Sequence, residues 1–146
     1  MNKVHFSMKS NEWETPQELY DELNEEFSFT LDPCATKESA KCDKYYTKED
    51  NGLIQDWEGV VFMNPPYGRE IPKWIEKAYN ESLKGAIVVC LIPARTDTRY
   101  WWDYIFPYAE IRFIKGRIKF KKDGISAPAP FPSAIVIFNN KRKNNG

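Results

Sequence analysis

Val60-Val61-Phe62-Met63-Asn64-Pro65-Pro66-Tyr67-Gly68, near the middle of the chain, decides how the rest is read. Four apolar residues in a row, two of them β-branched, predict a short strand buried on both faces. The two prolines that follow stop it, since neither has an N–H to give and both have a fixed φ. Such a loop is rigid and offers carbonyl oxygens at the end of a strand. Asn64 adds a side-chain acceptor and Tyr67 an aromatic face. Together they suit a planar substrate that carries an NH2 group: the Asn64 oxygen and the Pro65 carbonyl accept its two N–H bonds while Tyr67 stacks on its ring. Accepting both hydrogens draws the amine toward tetrahedral geometry and frees its lone pair, so no strong base is needed.

Outward from this stretch, helices and strands alternate. Thr15-Pro16-Gln17-Glu18 reads as a helix start, with Thr15 as cap, Pro16 at the first helical position and Glu18 closing a capping box. Leu19, Tyr20, Leu23 and Phe27 then recur at helical spacing and predict a helix over 16–26. Residues 28–32 (SFTLD) read as a short strand, and 45–47 as another. A helix is expected over 72–83, with Ile71, Ile75, Ala78 and Tyr79 on one side and Gly85 closing it. A strongly apolar strand follows over 86–92, then a helix over 96–106 and a strand over 110–115. Residues 117–121 alternate base and apolar residue, as a half-buried strand does. Residues 123–133, with Gly124, Pro128, Pro130 and Pro132, read as a loop, and 134–138 (AIVIF) as the last buried strand. This order argues for one α/β domain over 12–138, a mostly parallel sheet flanked by helices, between a flexible arm (1–11) and a disordered basic tail (139–146). In such sheets ligands bind beyond the carboxyl ends of the strands, where Asp32-Pro33 and Asn64-Pro65-Pro66-Tyr67 stand.

The 146 residues carry 21 bases and 21 acids, a sum that speaks against a strongly cationic nucleic-acid binder. The sum hides a division. Residues 1–60 hold 14 acids and 6 bases, net −8, and residues 61–146 hold 7 acids and 15 bases, net +8. Such asymmetry hints at a polyanionic partner for the second half. Within it, Arg112, Lys115, Arg117, Lys119, Lys121 and Lys122 fall in one short segment. Arg117, Lys119 and Lys121 share a strand face that suits phosphates, or else a solvated hairpin face. Arg95 and Arg99 are further phosphate candidates, although Arg99 can instead pair with Asp103 one helical turn on. Adjacent Trp101 and Trp102 cannot share a helix face, so one is expected at the surface. No apolar run is long enough for a membrane span and no signal peptide is expected. Three cysteines without a CxxC pair, and a single histidine (His5), give no reason to expect a disulfide or a metal site.

Read together, Trp13, Thr15-Pro16, residues 29–35 (FTLDPCA), Tyr45-Tyr46-Thr47, Asn64-Pro65-Pro66-Tyr67, residues 92–98 (IPARTDT), 116–120 (GRIKF) and 130–134 (PFPSA) resemble the phage-type DNA N-6-adenine methyltransferases, a Dam-like family of S-adenosylmethionine-dependent amino-methyltransferases, over roughly 12–138. The resemblance implies a single-domain Rossmann-like methyltransferase fold, S-adenosylmethionine as cofactor and duplex DNA with a flipped adenine as substrate. It also implies a phage or prophage origin and work in the cytoplasm of the bacterial host. Asn64, Pro65, Pro66 and Tyr67 would carry methyl transfer. Asp32, with Pro33 and Ala35 after it, would bind the cofactor's amino group, and Thr15 and Pro16 would lie beside its carboxylate. Asp32 has a plainer reading as a turn residue before Pro33. No glycine precedes Gly52, so small Ala35 stands where such enzymes place a Gly-rich loop. Asp50 is the candidate for the ribose hydroxyls and Asp56 for the adenine side. Arg95, Arg99, Arg117, Lys119, Lys121 and Lys122 would contact DNA. The NPPY motif is shared with RNA guanine and protein glutamine methyltransferases, so these are the alternative substrates, and an inactive cofactor- or DNA-binding module is the alternative class.

Overall fold

The computed structural model describes residues 13–122 and 125–140, with the side chain of Lys122 left out. The expected arm, and the basic tail from residue 141 on, lie outside the described residues. Helix α1 spans Gln17–Phe27 and is followed by a 3-10 turn at Gly52–Ile54, strand β1 (Val60–Met63), helix α2 (Ile71–Leu83) and strand β2 (Ile87–Pro93). A helix over 99–108 contains the π-helical turn Trp101–Ile105 and ends in α3 (Phe106–Tyr108). Strands β3 (Glu110–Phe113), β4 (Lys119–Lys122), β5 (Ile125–Pro128) and β6 (Ser133–Phe138) complete the chain.

The α/β class holds, but the sheet is mixed rather than mostly parallel. Its four strands run in the order β1-β2-β6-β3. β1 and β2 are parallel, with Phe62 opposite Val89, while β6 is antiparallel to both β2 and β3. The reversal has a plain cause. A parallel neighbour needs a crossover, usually a helix, to carry the chain back to the starting edge. Between β3 and β6 lies only the β4–β5 hairpin. The chain therefore starts β6 at the edge where β3 ended.

Opposite faces of the sheet are covered by different helices. Tyr20 of α1 packs edge-on against Phe62, and Tyr79 of α2 against Phe138. Phe62 pairs with Val89, and Phe138 with the adjacent Val88. Paired residues share a face and adjacent ones do not, so α1 and α2 lie on opposite sides. Between them, Val88 to Pro93 are buried, and each large apolar side chain removed from water contributes roughly 1.5–3 kcal/mol.

Several boundaries differ from the sequence reading. The expected strand 28–32 shrinks to two residues: Leu31 bridges Val61, and Asp32 bridges Tyr45, both in parallel sense. The helix expected over 96–106 begins three residues later. Its π turn, where the Phe106 N–H reaches the Trp101 carbonyl, opens the helix just before Pro107, whose ring would clash in a regular turn. The loop expected over 123–133 instead holds β5, which pairs with β4 from Lys119–Pro128 to Lys122–Ile125. Thr15 caps nothing: Pro16, with ψ of 137°, stands just outside α1, and no side chain caps that end. The expected burial pattern is otherwise found. Ile71, Ile75 and Ala78 are buried with Tyr79 beside them, and Trp101 is fully buried while Trp102 is 62% exposed.

Candidate active site

The bridges at residues 31 and 32 extend the sheet beyond β1. The sequence leaves Leu31–Asp32 toward Tyr45 on one side and returns to β1 on the other. This is a topological switch point, and the crevice at the carboxyl ends of the two diverging strands is where open α/β sheets bind ligands. Asp32 stands at one lip and Asn64 at the other.

Asp32 is buried. Its two carboxylate oxygens accept backbone N–H bonds from Cys34 (3.2 Å) and Lys41 (3.1 Å). Burial pushes its carboxyl above the usual carboxylate range, and the two N–H donors offset only part of that. The nearby Lys41 ammonium is spent elsewhere, on the Gln17 side-chain oxygen at 2.9 Å. Among the described residues, no ion pair neutralises Asp32. A covered carboxylate with lone pairs left over suits a compact ammonium ligand. The neighbouring loop is packed closely: Ala35 and Pro33 are buried, and Ala35 N–H bonds the Tyr46 carbonyl. Gly52 presses against the Pro33 carbonyl and the Trp74 ring, where a Cβ would collide. A glycine at 52 thus lets the next loop pack tightly under the Pro33 turn. The sequence signalled it only as the first glycine in the chain.

At the other lip, Asn64 follows β1. Its amide nitrogen donates to the Trp13 carbonyl (2.5 Å) and to Thr15 Oγ1 (2.9 Å). Its Oδ1 is covered and, among the described residues, has no hydrogen-bond partner. An orphaned acceptor costs about 1–3 kcal/mol, so this oxygen is an acceptor that lacks its donor. Pro65 is buried and Pro66 half-buried. Gly68 has φ of 125°, a region that favours glycine, and so lets the chain turn from this loop into α2.

Tyr67 is more enclosed than a freely stacking ring would be. Its hydroxyl donates to the Leu91 carbonyl at 3.0 Å, and burial raises its pKa further, so it remains a neutral phenol. Trp13, Tyr67, Phe120 and Phe131 form a box in which Trp13 and Tyr67 each meet both phenylalanines edge to face, with centroids 5.5–6.0 Å apart, a geometry favoured by their quadrupoles, while the two phenylalanines are tilted to each other at 6.2 Å. The box fastens the β4–β5 hairpin to the Asn64 loop. Phe120 and Phe131 belong to this site although neither stood among the candidate site residues; the alternation that turns Phe120 to the core and the stretch 130–134 were the available signals.

The remaining predicted residues divide. Arg117, Lys119 and Lys121 are exposed while Ile118 and Phe120 are buried, as the alternation requires. Arg95 is exposed in the loop after β2, its guanidinium 5.7 Å from the centre of the Phe131 ring. Arg99 is also exposed and lines a groove with Asp103 and Tyr104. The Lys122 side chain lies outside the described residues. Arg112, counted in the basic segment, is committed within the fold: it makes a bidentate pair with Glu26, both contacts at 2.7 Å, and a further bond to Glu110. Asp50 lies just past the Tyr45 bridge and accepts from the Thr47 N–H and hydroxyl. Asp56 is exposed two residues after the 3-10 turn, and its backbone carbonyl accepts from the Tyr46 hydroxyl. The structure does not bring Asp50 or Asp56 into contact with Asp32 or Asn64. Among the described residues no group of three or more His, Cys, Asp or Glu is placed to hold a metal ion, and no helix is long and apolar enough to cross a membrane.

Residues 5–144 match the family described as DNA N-6-adenine-methyltransferase (Dam). The chain is similar to the DNA N-6-adenine-methyltransferase of Haemophilus phage HP1, 32% identical over 94 residues that cover 62% of this chain and 54% of that protein. It is similar to the DNA N-6-adenine-methyltransferase of Escherichia phage T1, 30% identical over 115 residues, 77% of this chain and 48% of that protein. A putative methyltransferase of Escherichia coli K12, YfdM, is 40% identical over 76 residues, 45% of this chain and 84% of its own. The chain thus spans about half the length of the two phage proteins it matches.

Proposed function

The chain belongs to the DNA N-6-adenine-methyltransferase (Dam) family, and from that premise we propose that it transfers a methyl group from S-adenosylmethionine to the exocyclic amine of adenine in DNA. One observation carries the reading: the covered, unpartnered Oδ1 of Asn64 at the carboxyl end of β1. An amide held by its nitrogen, with its oxygen left as a free acceptor, is what an NH2-bearing substrate needs.

The cofactor supplies a methyl group on a sulfonium, an electrophile that needs no further activation. The protein's part is binding and orientation. Asp32 would hold the cofactor's ammonium, for which its buried carboxylate has spare lone pairs and, among the described residues, no ion-pair partner. Pro33 and Ala35, packed over Gly52, would line the same lip, and Thr15 and Pro16 the approach to Asn64. Asn64 Oδ1 and the Pro65 carbonyl would accept the two amine hydrogens, so the nitrogen lone pair points at the methyl group. The methylated amine then loses one proton to solvent. Tyr67, neutral and fixed by Leu91, offers a ring edge or face and not a base. An adenine inside a duplex hides its amine, so the base must be flipped out. Exposed Arg95, Arg117, Lys119 and Lys121 would grip phosphates around it, and Arg99 and Lys122 are further candidates for such contacts. The order of strands about the switch point supports a Rossmann-like methyltransferase core in spite of the reversed β6. Such work on DNA would place the protein in the cytoplasm of a bacterial host.

The test is incubation with labelled S-adenosylmethionine and, separately, duplex DNA, RNA and protein. Label is expected on adenine N6 of DNA, and Asn64→Ala should lower transfer at least about 100-fold, the scale seen when a preorganised hydrogen-bonding group is removed from a reacting centre. Label on RNA or protein alone would sink the DNA assignment, and cofactor binding without any transfer would leave an inactive binding module.

A further inference from the structure

Trp13–Glu14–Thr15 belongs to two structures at once. Glu14 pairs as an extra antiparallel strand residue with Lys121 of β4, through backbone bonds of 3.1 and 3.2 Å in both directions. The residues on either side of it hold Asn64: the Trp13 carbonyl and the Thr15 hydroxyl take the two hydrogens of its amide nitrogen. Thr15 is buried, caps no helix, and its side-chain oxygen is spent on this contact.

A primary amide has two orientations of nearly the same shape, related by a half-turn about its last bond. Only one of them presents an acceptor to a substrate amine; the other presents a donor, and two N–H groups would then face each other. A backbone carbonyl can only accept. With the amide reversed, Asn64 Oδ1 would oppose the Trp13 carbonyl oxygen. The Thr15 oxygen takes the second N–H, so neither donor is left to point into the site. We propose that Thr15 is a positioning residue: with the Trp13 carbonyl it locks the Asn64 amide so that Oδ1 faces the reacting amine, and the Glu14–Lys121 ladder ties this lock to the strand that carries the exposed lysines. The proposal rests on Asn64 being the acceptor for the amine, as in the reading above. It gives Thr15 a role different from a contact with the cofactor's carboxylate.

Thr15→Val has nearly the shape of threonine and suits a buried site, while Thr15→Ser keeps the hydroxyl. Two readouts apply. The first is the side-chain amide signal of Asn64 in 15N NMR, identified by its loss in Asn64→Ala. It should be protected from solvent exchange in the parent and in Thr15→Ser, and lose protection in Thr15→Val. The second is kinetics. For Thr15→Val, kcat should fall about tenfold, the effect of one lost neutral hydrogen bond on a reacting group. The dissociation constant for S-adenosylmethionine should stay within about a factor of two, and Thr15→Ser should recover most of kcat. A weakened cofactor constant with kcat intact would make Thr15 a cofactor contact and overturn the proposal. So would a Thr15→Ser as slow as Thr15→Val, or an amide signal indifferent to Thr15→Val. If the parent methylates no DNA, the functional reading fails by itself, and the amide signal still decides whether Thr15 holds Asn64.

Discussion

A carboxylate whose burial outweighs the backbone N–H bonds and the distant ammonium that favour its charge binds its proton more tightly than it would in an open chain. Asp32 is in that position. The sign follows from linkage: its protonated form favours the folded state, so its stabilising share is full below the ordinary carboxylate pKa and is lost as pH rises through its raised value. Cofactor binding runs the other way, because an ammonium ligand needs the ionised form. Affinity for S-adenosylmethionine should therefore weaken on acidification at a pH above the normal Asp range. Calorimetric titrations across that range should show the fall for the parent, while Asp32→Asn should bind weakly throughout and show no such step. A parent affinity that is flat down to the ordinary Asp range would remove Asp32 from the ammonium site.

Among the elements, the loop before β1 is held by one side chain of α2. Glu81 is buried. One of its oxygens accepts the Trp57 N–H at 2.8 Å, and the other accepts the ammonium groups of Lys77 (3.0 Å) and Lys84 (3.2 Å). Burial works against its charge, but these three donors outweigh it and hold its pKa below the usual value. Its contribution is present above the ordinary Glu pKa and fades as pH drops through the lowered one. Glu81→Ala should cost about 3 kcal/mol in urea unfolding, the scale of breaking a buried ion pair. Trp57 also donates its indole N–H to the Gly52 carbonyl, so the same change should loosen the loop against Pro33. Unchanged urea stability would show that the loop is held by packing alone. At this scale the sequence was informative where a signal is local. Residues 60–67 announced a buried strand and its stop, and the alternation of Arg117, Ile118, Lys119, Phe120 and Lys121 announced which side faces water. An apolar run such as 134–138 carries no direction, so the reversal of β6 could be inferred only from the lack of a helical period between β3 and β6. The reading of Thr15 as a helix cap failed because a distant partner won: its hydroxyl bonds Asn64 in place of the end of its own helix. The pairing of 31 and 32 with strands on both sides could not be read from five mixed residues.

For the molecule as a whole, the neutral total divides into net −8 for residues 1–60 and net +8 for residues 61–146. Binding to DNA through the second half should accordingly be salt-sensitive. Changing Lys119 and Lys121 together to Gln should weaken binding to DNA of any sequence and lower the slope of log affinity against log salt by about 2. Fluorescence anisotropy over a salt series measures both quantities, and an unchanged slope would turn this face away from the phosphates. The Glu14–Lys121 ladder has one more consequence, concerning time during synthesis. β1, α2 and β2 can pack as soon as they leave the ribosome, but the residue between Trp13 and Thr15 finds its partner only after Lys121 has been made. Such a long sequence separation is the costly kind of contact to close. A chain made only as far as β2 can hold the cleft while lacking the ladder that fixes its rim, so the site is completed only once β4 has been made.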